Sequence, residues 1–130
     1  MDPFNLNRFV EAQEYNYALA LKEIQAGRKE SHWMWYTFPQ LTGLGHSQNA
    51  IYYGISGVEE AQAYLAHSKL GPRLTEISRV LLTHEEKPIE QIFGHLDSLK
   101  LKSCMELFAS VPDADPVFKQ LIECFWNGNE

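Results

Sequence analysis

Apolar side chains recur every three or four residues along most of the chain, which is the spacing of one face of an α-helix. The clearest series lie at residues 17–24, 101–108 and 118–125. No segment of useful length alternates like a strand, although residues 52–55 are ambiguous. The pattern predicts an all-α fold, a compact single-domain bundle of about six to eight helices, several of them short, over residues 1–130.

Residues that favour helix ends divide these series. Four sites have the features of helix starts: Asp2-Pro3, Ser47, Asp97 and Asp115-Pro116. Ser56 and Glu59 have the spacing of a capping box, in which each side chain bonds the other's backbone N–H. We expect Gly27 to end a helix and Gly71-Pro72 to lie between two helices.

Composition limits the kind of partner. With 130 residues, 45% of them hydrophobic, the chain can bury a core without a metal or disulfide. Its net charge of −6 works against binding nucleic acid, because phosphate affinity comes mainly from Lys and Arg. No apolar run reaches membrane-spanning length, and the first residues lack a signal peptide's pattern. We therefore expect a cytoplasmic protein with no membrane partner.

Histidine and cysteine spacings give no sign of metal or covalent chemistry. The five histidines form no HxxxH or HExxH, and neither Cys104 nor Cys124 belongs to a CxxC. No GxSxG is present, so classical covalent hydrolysis has no support. We expect two buried free thiols, no metal and no cofactor, and whether the chain is an enzyme stays open.

The most distinctive segment is Ser31 to Gln40, with the sequence SHWMWYTFPQ. Trp33 and Trp35 offer flat faces on which a ring could stack, beside the titratable nitrogen of His32 and the polar ends of Thr37 and Gln40. The alternative is a buried aromatic core segment. The site interpretation makes His32 a candidate catalytic residue, and Trp33, Trp35 and Gln40 candidate ligand contacts.

Three further groups are candidates for contacts with an anion. The loop at Gly45, His46 and Ser47 opens a helix, whose free N–H groups favour phosphate, although a plain turn with a serine cap is the simpler explanation. Arg28 and Lys29 either stabilise a helix C-terminus or clamp an anion. The Asp97 group also includes Lys100 and Ser103, spaced i, i+3, i+6. There Lys100 would hold an anion and Asp97 would orient it or take a proton, unless they form only a surface pair.

Several motifs occur in the order typical of one family. They include residues 8–13, 27–29, 32–35, 38–41, 43–47, 63–65, 70–74, 92–94, 100–101 and 105–108. In these the chain resembles the family catalogued as domain of unknown function 1810, from about Phe4 to Gly128. The resemblance implies a small, mainly helical bacterial protein without an established activity. Some members are labelled calpastatin, but calpastatin inhibitors are long and disordered.

Two positions depart from the pattern that this resemblance implies. Cys104 stands where a serine is expected, and the chain stops at Asn127-Gly128-Asn129-Glu130 before an expected Asp and Thr-Leu pair. These departures put in doubt any function of the family that needs a hydroxyl at position 104 or that tail.

Two classes of function follow. The first is a pocket for a small anionic molecule, nucleotide-like or ADP-ribose-like, with hydrolysis as a possible reaction. The second is a non-enzymatic interaction or adaptor module, in which the aromatic segment is purely structural and the acidic surface meets a basic protein. Burial of Trp33, Trp35 and His32 discriminates between them.

Overall fold

The computed structural model describes residues 2–127, in which nine α-helices and one π-helical segment follow one another without a strand. The helices are α1 (Asn7–Glu14), α2 (Tyr17–Gln25), α3 (Met34–Thr37), α4 (Gln48–Tyr52), α5 (Val58–Ala66), α6 (Leu70–Leu82), α7 (Ile89–Phe93), α8 (His95–Ala109) and α9 (Val117–Ile122), with the π-helix at Glu123–Asn127. The predicted all-α class is confirmed, with more helices than expected. The expected departure in the tail falls mostly on residues 128–130, outside the described residues.

The core lies where the longer helices meet. Helix α8 packs against α5, α7 and α9, while α6 packs against α2, α5 and α9. Fully buried aromatic rings fill the centre, with Phe108 between Tyr64 and Phe118 at centroid distances of 5.2 and 5.9 Å. Burial of such large rings supplies much of the hydrophobic stabilisation. Within the described residues, no helix is both long and apolar enough to cross a membrane.

Several helix ends follow the sequence prediction. The Ser47 hydroxyl accepts from the Ala50 amide at 3.1 Å, and Asp115 Oδ1 accepts from the Val117 amide at 2.9 Å. Gly27, with φ +77°, follows the last turn of α2, where a left-handed residue closes the helix at little cost. The sequence predictions at these three ends are therefore confirmed.

Three other predicted helix ends are wrong. Ser56 pairs with Glu60 rather than Glu59, since its amide and hydroxyl both donate to Glu60 Oε1. Gly71-Pro72 lies inside the first turn of α6, where proline is tolerated because the first N–H groups have no helical partner. Asp97 is not a cap, because α8 begins at His95 directly after Gly94, whose φ is +82°.

A buried arginine joins the N-terminal helix to the loop between α4 and α5. Arg8 is 8% exposed, and its guanidinium donates to Glu60 Oε2 at 2.8 Å. Its other N–H groups donate to the carbonyls of Phe4, Asn5, Tyr52 and Gly54 at 2.6 to 3.0 Å. The buried charge is therefore fully paired, as a charge in a low-dielectric interior must be.

Both cysteines are free, although only one is fully buried. Cys104 faces the core from α8, where burial raises the pKa of its thiol well above the usual range. Cys124 is half-buried, and burial also raises its pKa. Cys104 therefore behaves as a small apolar core residue.

Candidate functional site

A row of alternating charges runs from the end of α2 to the first turns of α8. Asp97 lies between two lysines, with its Oδ2 2.9 Å from Lys29 Nζ and its Oδ1 3.2 Å from Lys100 Nζ. The Lys29 side chain is only 8% exposed, whereas that of Lys100 is 28% exposed. Lys100 is thus the ammonium that a molecule in solution can reach.

Lys100 also lies over an aromatic ring. Its Nζ is 4.1 Å from the centroid of Trp35, within the range in which a cation is attracted by the face of an indole. Trp35 lies in α3 and is half-buried, so part of its surface faces solvent. The structure therefore brings the flat ring of Trp35 and the ammonium of Lys100 together.

Glu23 of α2 fixes the position of residues 30–33 beneath this surface, a role that the sequence did not predict. Its carboxylate accepts from the amides of Glu30 and Ser31, from the Ser31 hydroxyl and from Trp33 Nε1, at 2.5 to 2.9 Å. Burial alone would raise its pKa, but these hydrogen bonds outweigh burial and lower the pKa to about 2. The sequence does contain one sign of this role, because Glu23 is an acidic residue beside Ile24 on the apolar face of α2.

A small hollow opens beside Trp35. It is lined by Gln40, Gly45 and Tyr53 together with apolar side chains, and its volume is about 10 Å³. Gly45 keeps it open, since a Cβ there would come 3.0 Å from Ala50 Cβ and 3.9 Å from the Trp35 ring. The hollow has room for about one water molecule, so it cannot enclose a ligand.

Two residues of the predicted aromatic site do not join this surface. Trp33 is fully buried, with its ring 6.1 Å from that of Phe38 and 6.3 Å from that of Phe93. It is a core residue because its one polar group, the indole N–H, is satisfied by Glu23. His32 is exposed, and among residues 2–127 its ring forms no hydrogen bond or ion pair with Asp97.

None of the remaining candidate residues forms a hydrogen bond or ion pair with Trp35, Asp97 or Lys100 in the part of the chain that the structure describes. Arg28 and His46 are exposed, Ser103 is half-buried on α8, and the Ser47 hydroxyl is used by its own helix. Helix α4, which Ser47 caps, has only five residues. Its N-terminus is therefore a local cap, and the loop at Gly45 contributes to the hollow rather than to a phosphate cradle.

A second and larger groove lies between the α6–α7 loop, α8 and the π-helix. It has a volume of about 550 Å³ and includes three carboxylates, from Glu85, Glu86 and Glu90. Trp126 and the half-exposed Leu99 supply apolar surface. The nearby ammonium of Lys87 donates to the Gly27 carbonyl at 2.9 Å. The charge of the groove is therefore predominantly negative.

Within residues 2–127, no three His, Cys, Asp or Glu side chains are grouped as the ligands of a metal ion would be. The chemistry of the site near Trp35 is accordingly that of ammonium groups, an indole ring, an amide and one carboxylate.

Comparison with known proteins gives a family and a close structural relative. The family described as "Protein of unknown function (DUF1810)" matches residues 3–130. The crystal structure at 1.38 Å of the conserved hypothetical protein Rv1873 from Mycobacterium tuberculosis is similar, with a TM-score of 0.95 and 51% sequence identity. The match covers 99% of this chain and 92% of that one. No curated protein matches the chain.

Proposed function

The chain belongs to the DUF1810 family of proteins of unknown function, and from this premise we propose that it binds a small anionic molecule that carries a flat ring. The observation that carries the proposal is the position of Lys100, whose ammonium lies 4.1 Å from the centre of the Trp35 ring and 3.2 Å from Asp97. A nucleotide-like or ADP-ribose-like molecule has both of the groups that this pair would contact.

The local charge supports an anion. The chain carries a net charge of −6, yet Lys29 and Lys100 place two ammonium groups on either side of the Asp97 carboxylate. Because Asp97 holds both ammonium groups, it fixes their positions before a ligand arrives. Preorganised cations bind an anion at a smaller entropic cost than free side chains do.

The ring of the ligand would lie against the exposed part of Trp35. Stacking on an indole is worth about 1–3 kcal/mol per base in proteins that bind single-stranded nucleic acids. The phosphate or carboxylate of the ligand would reach Lys100. Arg28, which directly precedes Lys29 in the sequence, is also exposed. This arrangement is an open surface site rather than an enclosed pocket.

The same contacts favour binding over hydrolysis. A hydrolytic enzyme needs a group that takes a proton from water, and the sequence offers His32 and Asp97. Both oxygens of Asp97 already accept from ammonium groups. Asp97 is therefore better placed to orient the lysines than to act as a base, and we do not include hydrolysis in the proposal.

Thermal unfolding in the presence of AMP, ADP-ribose, NAD or inorganic phosphate tests this function. A ligand at about 100 times its Kd stabilises the folded state by about 2.7 kcal/mol, which raises the melting midpoint by several degrees. We expect Lys100→Met and Trp35→Leu to abolish the rise, and Lys102→Met, on the same helix, to keep it. The proposal fails if none of the compounds raises the midpoint, or if Lys100→Met responds like the wild type.

The acidic groove favours a second function, the binding of a lysine- or arginine-rich segment of another protein. Glu85, Glu86 and Glu90 provide carboxylates, while Trp126 provides a ring that attracts cations. Exposed Leu96 and Leu99 follow one another on α8 at i, i+3 and extend the apolar surface. The partner would therefore carry alternating basic and apolar residues.

A synthetic peptide of alternating lysine and leucine provides the probe for this second function. We expect its Kd, measured by fluorescence anisotropy, to weaken as salt rises, because these charges are exposed and screened. The double variant Glu85→Gln/Glu86→Gln should bind more weakly, and Glu59→Gln, an exposed change on α5, should not. Equal binding by all three proteins would contradict a specific role for the groove.

A further inference from the structure

A buried ammonium group, that of Lys29, shares the carboxylate of Asp97 with the exposed Lys100. Its Nζ lies 2.9 Å from Asp97 Oδ2, donates to the Ser31 carbonyl at 2.6 Å and lies 5.0 Å from the centre of the Trp33 ring. The side chain is only 8% exposed. Because its contacts lie within the protein, Lys29 is poorly placed to bond a molecule in solution.

The segment that carries Lys29 is fixed by its backbone. The Lys29 amide donates to the Ile92 carbonyl of α7 at 2.7 Å, and the next two amides, those of Glu30 and Ser31, donate to Glu23 of α2. The position of the buried ammonium therefore depends on the fold and not on a ligand.

Asp97 is the carboxylate that would otherwise offset the charge of Lys100. Its two oxygens are divided between the two lysines, and Oδ1 lies 3.2 Å from Lys100 Nζ. Without Lys29, the negative charge would be opposed by Lys100 alone, and that pair would carry no net charge to attract an anion. With Lys29 in place, two positive charges oppose one negative charge.

A second carboxylate, that of Glu23, contacts the same segment. It accepts from two amides, a hydroxyl and an indole N–H, all of which are neutral donors. In the part of the chain that the structure describes, no ion pair joins Glu23 to Lys29, whose carboxylate partner is Asp97. The charge of Lys29 is therefore balanced against Asp97 in the first place.

We propose that Lys29 is a positioning residue that raises the affinity of the site for anions without touching the ligand. It offsets and orients the Asp97 carboxylate, so that the charge of Lys100 stays available. This inference rests on the proposed function and deepens it, because it assigns the affinity for the anionic group to a buried pair as well as to the exposed lysine. Lys29 is then not itself a clamp on the anion.

Calorimetric titrations with AMP and ADP-ribose test this role, with adenosine as the uncharged control. We expect Lys29→Met to weaken binding of both anions about tenfold, the size expected for the loss of one charge several ångströms away at an effective dielectric constant of about 20. Binding of adenosine should not change. Lys22→Met, which removes an exposed lysine from α2, should bind all three compounds as the wild type does.

The double variant Lys29→Met/Asp97→Asn distinguishes an electrostatic role from a structural one. It removes one charge of each sign, so Lys100 again has no competing carboxylate, and the affinity for AMP and ADP-ribose should return to within about threefold of the wild type. A purely structural role of Lys29 would not be rescued by a second substitution. A double variant that binds these anions as weakly as Lys29→Met would therefore overturn the inference.

The double variant also carries the test if Lys29→Met alone does not fold. Anion affinity close to that of the wild type would then support the inference, because Lys100 keeps its charge when both members of the buried pair are neutral. Loss of anion binding by a folded double variant would overturn it.

The outcomes separate this inference from the function on which it rests. Equal anion binding by the wild type and Lys29→Met, with binding lost in Lys100→Met, would overturn the role of Lys29 and leave the proposed site standing. No binding of AMP, ADP-ribose, NAD or inorganic phosphate to the wild type would overturn both.

Discussion

At the scale of single residues, Glu23 determines how the aromatic segment is divided between core and surface. Four donors converge on its carboxylate, and one of them is the indole N–H of Trp33. This bond allows Trp33 to be fully buried, so that Trp35, two residues later, comes to the surface. A single acidic residue on α2 thus sets the orientation of a segment ten residues away.

Glu23 makes the stability of the fold depend on acidity. Its pKa in the folded protein is about 2, below the usual 4.5, so its carboxylate contributes stability that is fully present above about pH 4.5 and is lost as the pH falls towards 2. We expect Glu23→Gln to lower the free energy of unfolding by roughly 2 kcal/mol at pH 7. Urea titrations at several pH values measure this difference.

The same titrations carry their own control. Between pH 4.5 and 2 the wild type should lose stability more steeply than Glu23→Gln, and the exposed Glu59→Gln should follow the wild type. Parallel curves for the wild type and Glu23→Gln would show that the carboxylate contributes nothing specific.

At the scale of elements, the contact between α5 and α6 depends on the absence of a side chain. A Cβ at Gly71 would lie 2.0 Å from the Leu65 carbonyl oxygen, a distance that no backbone shift of a few tenths of an ångström could relieve. Gly71 therefore allows the first turn of α6 to lie directly against the end of α5. Proline at the next position continues the helix because its missing N–H would have no partner there.

Gly71→Ala should destabilise the protein by about 1–3 kcal/mol, the usual cost of overpacking a filled interior. Gly57→Ala is the matched control, because a Cβ at Gly57 meets nothing within 4 Å and its backbone is extended. Chemical denaturation of the two variants compares the effects. A loss in Gly57→Ala as large as that in Gly71→Ala would contradict the steric explanation.

At the scale of the whole molecule, Arg8 joins parts of the chain that are far apart in sequence. Its guanidinium bonds Glu60 across 52 residues and the carbonyls of Tyr52 and Gly54 across more than 40. Removal of one member of a buried ion pair leaves the other charge without compensation, which typically costs about 3–5 kcal/mol. This interaction holds α1, the α4–α5 loop and α5 together.

We therefore expect Arg8→Met to lower the free energy of unfolding by about 3–5 kcal/mol. The exposed pair of Arg79 and Asp115 offers the comparison, and Arg79→Met should cost less than about 1 kcal/mol. Thermal and urea unfolding of both variants test the contrast. Similar losses for the two would show that burial of the Arg8 pair is without effect.

The sequence was sufficient for the helical class, for the caps at Ser47 and Asp115 and for the end of α2 at Gly27, because these depend on local spacing and backbone preference. It was insufficient where tertiary partners compete with local ones. Ser56 donates to Glu60 rather than to Glu59, and the other oxygen of the Glu60 carboxylate accepts from the buried Arg8, a partner 52 residues away.

The candidate site was predictable only in part, for the same reason. The i, i+3 spacing of Asp97 and Lys100 indicated a shared helical face, and the structure places them in contact. Which of the two neighbouring tryptophans is exposed depends on Glu23, and the meeting of Trp35 with Lys100 depends on packing across 65 residues. Periodicity within one helix holds no information about either.

The last turn of α2 has a further consequence for the order in which the protein folds. The Ile24 carbonyl in this turn lies 2.8 Å from His84 Nε2. Just beyond the helix, the Gly27 carbonyl accepts from Lys87 Nζ, and in both bonds the two partners are 60 residues apart in sequence. Closing a loop of that length costs roughly 3–4 kcal/mol of chain entropy, so these bonds form only after α6 has docked. In pulsed hydrogen exchange, the Lys29 amide, which donates to the Ile92 carbonyl at 2.7 Å, should accordingly gain protection late.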